Sequence, residues 1–125
     1  MRIKTIIPLA LCLLFSASLN AGRLNPESYY QNIAAKKYSG QTEVTMPDGT
    51  RCDIVTETSA IEVDFADKWA EAIGQSLNYA FQSSKRAGIL LILEKPSDER
   101  HLIRVQSIIN HYHLKIDLLA IRAWE

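Results

Sequence analysis

Arg51-Cys52-Asp53-Ile54-Val55 and, after a short gap, Ala60-Ile61-Glu62-Val63-Asp64-Phe65 are the two stretches that decide how this chain folds. Each alternates in polarity, and the loop Thr56-Glu57-Thr58-Ser59 closes them into a predicted β-hairpin. In that hairpin Asp53 pairs with Glu62, Ile54 faces Ile61, and Val55 faces Ala60. Side chains alternate along a strand. Asp53, Glu62 and Asp64 are therefore expected on one face, with Cys52, Ile54, Ile61, Val63 and Phe65 on the other. Like charges opposed across a sheet destabilise it, and a divalent cation is one way to offset that repulsion. The same register sets Arg51 opposite Asp64, which makes a simple ion pair the rival explanation.

Other elements fall into place around the hairpin. Asn25-Pro26-Glu27 reads as a helix start, with Asn as cap, Pro in the first turn and an acid at the positive end; Ser39-Gly40 stops that helix near Tyr38. Glu43 to Met46 alternates like a strand, and Pro47-Asp48-Gly49 is a turn. From Trp69 to about Ser83 the period becomes helical, with Trp69, Ile73, Leu77, Ala80 and Phe81 expected on the buried side. Gly88-Ile89-Leu90-Leu91-Ile92-Leu93 is an almost unbroken apolar run, as a central strand covered on both faces requires. Ser97 caps a further predicted helix, whose buried side is Leu102, Val105, Ile108 and Ile109, and Leu114 to Ile121 returns as the last strand. The order α-β-β-β-α-β-α-β predicts an α/β domain, one mixed sheet flanked by helices.

Composition limits the setting. Arg2 and Lys4, the apolar run from Ile6 to Phe15 and the small residues up to Ala21 have the layout of a secretory signal peptide. The expected organisation is a signal over 1–21 and a single domain over 22–125, periplasmic or secreted. That apolar run is too short for a permanent span, so no stable membrane span is expected after cleavage. Without Arg2 and Lys4, twelve of the 14 basic residues remain against 14 acidic ones. This balance gives no electrostatic support for broad nucleic-acid binding. The mature chain keeps one cysteine, Cys52, which excludes an intramolecular disulfide.

Candidate chemistry centres on the hairpin. A lone exposed carboxylate is ordinary surface, but three converging across adjacent strands are a candidate site. Asp53, Glu62 and Asp64 offer oxygen ligands, which suit Mg²⁺ or Mn²⁺ rather than zinc. On the following helix Lys68, Gln75, Tyr79 and Gln82 fall within a sector of roughly 60°. Lys68 at the helix start is placed to reach the carboxylates. The same wheel puts this stripe opposite the apolar face, so its surroundings are water unless the helix lies over the site. His111-x-His113 lacks the third ligand of a zinc pattern. There is no glycine-rich phosphate loop and no Gly-x-Ser-x-Gly turn.

Asp on the second strand, Glu-x-Asp on the third and Gln75-Ser76-Leu77-Asn78-Tyr79 on the next helix resemble the PD-(D/E)XK nuclease superfamily. The last of these resembles the Gln-x-x-x-Tyr motif of its RecB-type members. The resemblance covers about Pro26 to Leu93 and implies a restriction-endonuclease-like core. It also implies Asp53 and Glu62 as metal ligands, Gln75 as a catalytic-site residue and Tyr79 as a substrate-positioning one, with DNA or RNA as substrate. The chain departs from the family at Asp64, which stands where (D/E)-x-K has its lysine. Lys68 then supplies the missing charge, Asp64 is a third ligand, or the site has lost its catalysis. Two functions follow: an exported, Mg²⁺- or Mn²⁺-dependent phosphodiesterase of nuclease-like type, or a catalytically silent periplasmic domain that binds a partner.

Overall fold

The computed structural model describes residues 22–125; the expected signal segment lies outside the described residues. Three α-helices and five strands follow the predicted order. They are α1 (Glu27–Lys37), β1 (Gln41–Thr45), β2 (Arg51–Val55), β3 (Ser59–Phe65), α2 (Trp69–Ser83), β4 (Arg86–Leu93), α3 (Glu99–Tyr112) and β5 (Ile116–Arg122). The sheet order is β1-β2-β3-β4-β5. The first two pairings are antiparallel and the last two parallel. Tight turns suffice for the antiparallel part, whereas each parallel pair needs a crossover, supplied by α2 and α3. Among the described residues no helix is long and apolar enough to cross a membrane.

The sheet separates two apolar layers. Tyr30, Ala34 and Ala35 of α1 pack on Ile54, Ile61, Val63, Phe65, Leu90 and Ile92. On the opposite face, Ala72 of α2 and Val105 and Ile109 of α3 cover Ile89, Leu91, Leu93 and Ile116. β4 is buried along both faces from Ala87 to Leu93, as its continuous apolar run requires. Glycine matters where α1 hands over to β1: a Cβ at Gly40 would collide with Cγ2 of Ile54 and stand 3.3 Å from the Val55 carbonyl. Gly49, at φ 87°, completes the predicted turn after Pro47.

The hairpin register is as expected at its loop end, where Ile54 pairs with Ile61 and Val55 with Ala60. Beyond Ile54 the ladder stops. In consequence Cys52 does not share a face with Ile54: it packs with Met46, Ala60 and Tyr79, whereas Ile54 lies in the α1 layer. The β1–β2 ladder is distorted at the same level, passing from Thr42–Ile54 to Val44–Cys52 around a left-handed Glu43 at φ 55°. Arg51 is not paired with Asp64 either. It lies opposite Thr45, with its Nε 3.8 Å from Glu43.

Three further expectations change. Pro26, not Asn25, occupies the cap of α1, and Asn25 instead contacts the Tyr30 hydroxyl. Ser97 falls within a 3₁₀ turn (Pro96–Asp98), and Asp98 accepts the backbone N–H groups of Glu94 and Lys95. The buried face of α2 is as expected at Trp69, Ile73 and Ala80, which pack half-buried on the core, but not at Leu77 and Phe81. Ala72, Ser76 and Tyr79 are its buried residues, whereas Phe81 is 82% exposed and Leu77 is also exposed. Small residues win the inner face because they let the helix approach the sheet closely. Phe81→Ala is expected to change stability by no more than about 0.5 kcal/mol, and Ala72→Leu to cost about 1–3 kcal/mol. Urea unfolding of the two variants checks this; the reverse order would restore the face drawn from hydrophobicity alone.

Candidate acidic site at the broken hairpin

The site lies where β2 and β3 part. Ile61, Val63 and Phe65 face the α1 layer, so alternation sends Ala60, Glu62 and Asp64 toward α2. Both acids are buried, Glu62 at 5% and Asp64 at 6% exposure. Asp53 is half-buried on the neighbouring strand, and its Oδ2 accepts the Val63 N–H at 2.7 Å. A side chain thus takes a strand amide that a regular ladder would give to a backbone carbonyl. The Asp53 carbonyl turns instead to α1, where it accepts from Gln31 Nε2 at 2.8 Å.

Electrostatics follow from crowding carboxylates away from water. Burial pushes Glu62 up to about 10, and the negative charges of Asp53, Asp64 and Glu27 act in the same direction. Asp53 is also raised by burial, against the Val63 amide, which favours its charged form. As an ionised carboxylate Glu62 would leave Oε2 buried without a donor. As a carboxylic acid it can donate its proton to Asp53 instead. Burial and the neighbouring acids thus favour a proton on the metal-free pair. Asp64 is raised to about 6 by burial, opposed by the Phe65 N–H on its Oδ1 at 2.9 Å and by the charge of Lys68.

The other expected residues divide. Tyr79 is buried at 6% exposure among Met46, Cys52 and Ala60. Burial raises its hydroxyl, and the neighbouring charges of Glu62 and Asp53 raise it further. It lies beside Glu62 and Asp53, although its position on the helical wheel opposite the apolar face pointed to the surface. Gln75, one turn earlier on α2, is exposed. Lys68 is exposed at the end of the 3₁₀ turn (Ala66–Lys68), with no ion pair among the described residues. Its positive charge lowers Asp64 and Glu27, so it stands at the rim rather than against Asp53 and Glu62.

Two residues of α1 were missed. Glu27 is raised to about 7 by burial and by the charges of Asp53 and Asp64, which places it in the same electrostatic field. Gln31, 4% exposed, bridges Glu43 Oε1 at 3.0 Å and the Asp53 carbonyl. The acid in the first turn of α1 read as a helix-start signal, and a polar residue at an inward helical position was the available sign for Gln31. His111 and His113 lie at the exposed C-terminal end of α3, away from these acids.

Among the described residues no three His, Cys, Asp or Glu side chains stand together in ligand geometry. Asp64 in particular spends Oδ1 on its neighbour's amide. The Asp53–Glu62 pair still fits a hard cation. Its donors are all oxygen, the Glu62 Oε2 atom has no other partner, and Mg²⁺ is usually held by one or two carboxylates plus water. Comparisons with family models, with curated proteins and with solved structures give no match to this chain.

The raised acids set a pH dependence. Above the ordinary Glu range and up to about 10, folded Glu62 keeps a proton that the unfolded chain releases. The folded state then binds more protons, so stability falls as pH rises through that window. Glu27 and Asp64, raised to about 7 and about 6, add to the lower part of the decline. The metal-free protein is expected to melt at a lower temperature at pH 8.5 than at pH 5.5, and Glu62→Gln to flatten that decline. Calorimetric melts across the range check it; equal slopes in both proteins would refute the assignment.

Proposed function

We propose that this chain is an exported, divalent-metal-dependent phosphodiesterase of PD-(D/E)XK type that acts on DNA or RNA. The observation that carries the reading is the buried Glu62 carboxyl, orphaned at Oε2 beside Asp53 on two strands whose ladder breaks between them. A buried polar atom without a partner costs roughly 1–3 kcal/mol, and an oxygen-seeking cation would satisfy it. Asp53 and Glu62 would hold Mg²⁺ or Mn²⁺, and Asp64, two residues from Glu62 on the same strand, would be the third ligand only if its side chain moved toward them. A bound ion of this kind lowers the pKa of its water and stabilises charge on a phosphate oxygen. The order of elements and the burial of Tyr79 beside Glu62 agree with the motif resemblance.

The chain's own residues would divide the work by depth. Tyr79, kept neutral by its buried and negative surroundings, can donate its hydroxyl proton to an oxygen of the pair or to a water between them. Lys68 at the rim can meet a phosphate entering from solvent without neutralising Glu62. Gln75, exposed one turn from Tyr79, would contact the same substrate.

A second reading is favoured by one observation: the lysine slot of the motif holds Asp64, and Lys68 does not reach the Asp53–Glu62 pair. In it the domain is catalytically silent and binds a partner. Metal-stripped protein incubated with single- and double-stranded DNA and RNA, with and without Mg²⁺ or Mn²⁺, separates the two. Metal-dependent cleavage that falls by at least about a hundredfold in both Asp53→Ala and Glu62→Ala is the expected result. No cleavage by the wild-type protein, or cleavage untouched by both substitutions, would leave the silent domain standing.

A further inference from the structure

We infer that Gln31 is the positioning residue of this site: its side-chain amide holds open the break in the hairpin and thereby sets the divalent-metal affinity of Asp53 and Glu62. The inference rests on the metal-binding reading of that pair and adds a residue from a different layer of the molecule. Gln31 lies on the inner side of α1, whose other inward residues Tyr30, Ala34 and Ala35 are apolar. A buried amide there would be costly unless its donors were satisfied. They are, by two acceptors on two strands: Glu43 Oε1 at 3.0 Å on β1 and the Asp53 carbonyl at 2.8 Å on β2.

Both acceptors sit at the level where the sheet departs from regular pairing. Glu43 has φ 55°, a conformation that a non-glycine residue adopts only when its surroundings hold it there. Asp53 is the residue at which the β2–β3 ladder ends and the side chains change face between Cys52 and Ile54. With its carbonyl drawn to Gln31, Asp53 presents its carboxylate to β3, where Oδ2 takes the Val63 N–H. That contact leaves the carboxylate beside the Glu62 side chain. Remove the Gln31 donors, and nothing on α1 pulls the Asp53 carbonyl out of the sheet. The strand can then close toward a regular ladder, the Val63 N–H passes to a backbone acceptor, and the Asp53 carboxylate loses the bond that fixes its orientation against Glu62.

The test uses Gln31→Met, which keeps the length and bulk of the side chain and removes its donors, in the full mature chain. Two quantities are measured beside wild type: Mn²⁺ affinity from the electron paramagnetic resonance of the free ion, and amide hydrogen exchange by NMR. The expected result is a loss of Mn²⁺ affinity of about tenfold or more, with faster exchange at Val63 and unchanged exchange at Leu90 and Leu91. General destabilisation would instead speed exchange at all three amides and leave the affinity of the folded fraction intact. Unchanged Mn²⁺ affinity in the variant, or a Val63 amide as protected as in wild type, would overturn the inference. If wild type binds no Mn²⁺, the metal reading fails by itself, and the metal-affinity part of this inference fails with it. The Val63 amide then still decides whether Gln31 positions Asp53. Should Gln31→Met not fold, Gln31→Leu, which also lacks donors, takes its place in both measurements.

Discussion

The bond from the Val63 amide to Asp53 Oδ2 is the contact on which the rest of the site depends. It substitutes a side chain for a backbone acceptor and so ends the β2–β3 ladder one residue short of the acids. The two strands can part there without leaving an amide unsatisfied in the interior. Their parting is what lets groups from both layers meet: Tyr79 from α2 on one side, Gln31 and Glu27 from α1 on the other. An unbroken hairpin would have set Asp53 directly across from Glu62, with the Val63 N–H given to a backbone carbonyl.

How far this was legible depends on the range of the interactions involved. The strand order and the register at Ile54–Ile61 follow from local alternation and loop length, and both were readable. The face of Cys52 was not, because a period of two assumes a continuous ladder, and nothing in Arg51–Val55 marks the break. The exposure of Leu77 and Phe81 on α2 was missed for a different reason. Hydrophobicity weights Leu77 and Phe81 heavily, whereas close packing selects Ala72 and Ser76, the small residues of that helix. Asp53 and Glu62 were found because their strands are adjacent in sequence. Glu27 and Gln31 come from a helix whose position relative to the hairpin is a tertiary result with no local signature.

Buried acids without a matched cation are a local conflict, and such conflicts gather at functional positions. Without a cation, burial favours the protonated form of Glu62, Asp53 accepts the Val63 N–H, and Asp64 leans on a backbone amide. Other charged groups are handled by ordinary pairing. Arg23 bridges Asp67 and Glu94 while stacking over Phe65 at 3.8 Å, tying the ends of β3 and β4 together beside the site. Arg86–Asp117 and Arg122–Glu99 flank β5 at its two ends. The contrast between these paired charges and the unpaired acids of the hairpin makes the latter stand out.

The mixed sheet also gives the hairpin a history within each folding event. A short-loop antiparallel pair closes in about 1–10 μs, whereas parallel strands wait for a crossover and the larger loop entropy it carries. β2 and β3 are the local pair, and α2 must be laid down before β4 can dock beside β3. The carboxylates therefore spend the early part of folding hydrated and ionised, on a hairpin that their own repulsion weakens. Covering them with Tyr79 and the rest of α2 is the event that takes up the proton. Closure of that helix over the acids is thus favoured by a more acidic medium, whereas the open hairpin, with its acids in water, carries no such preference.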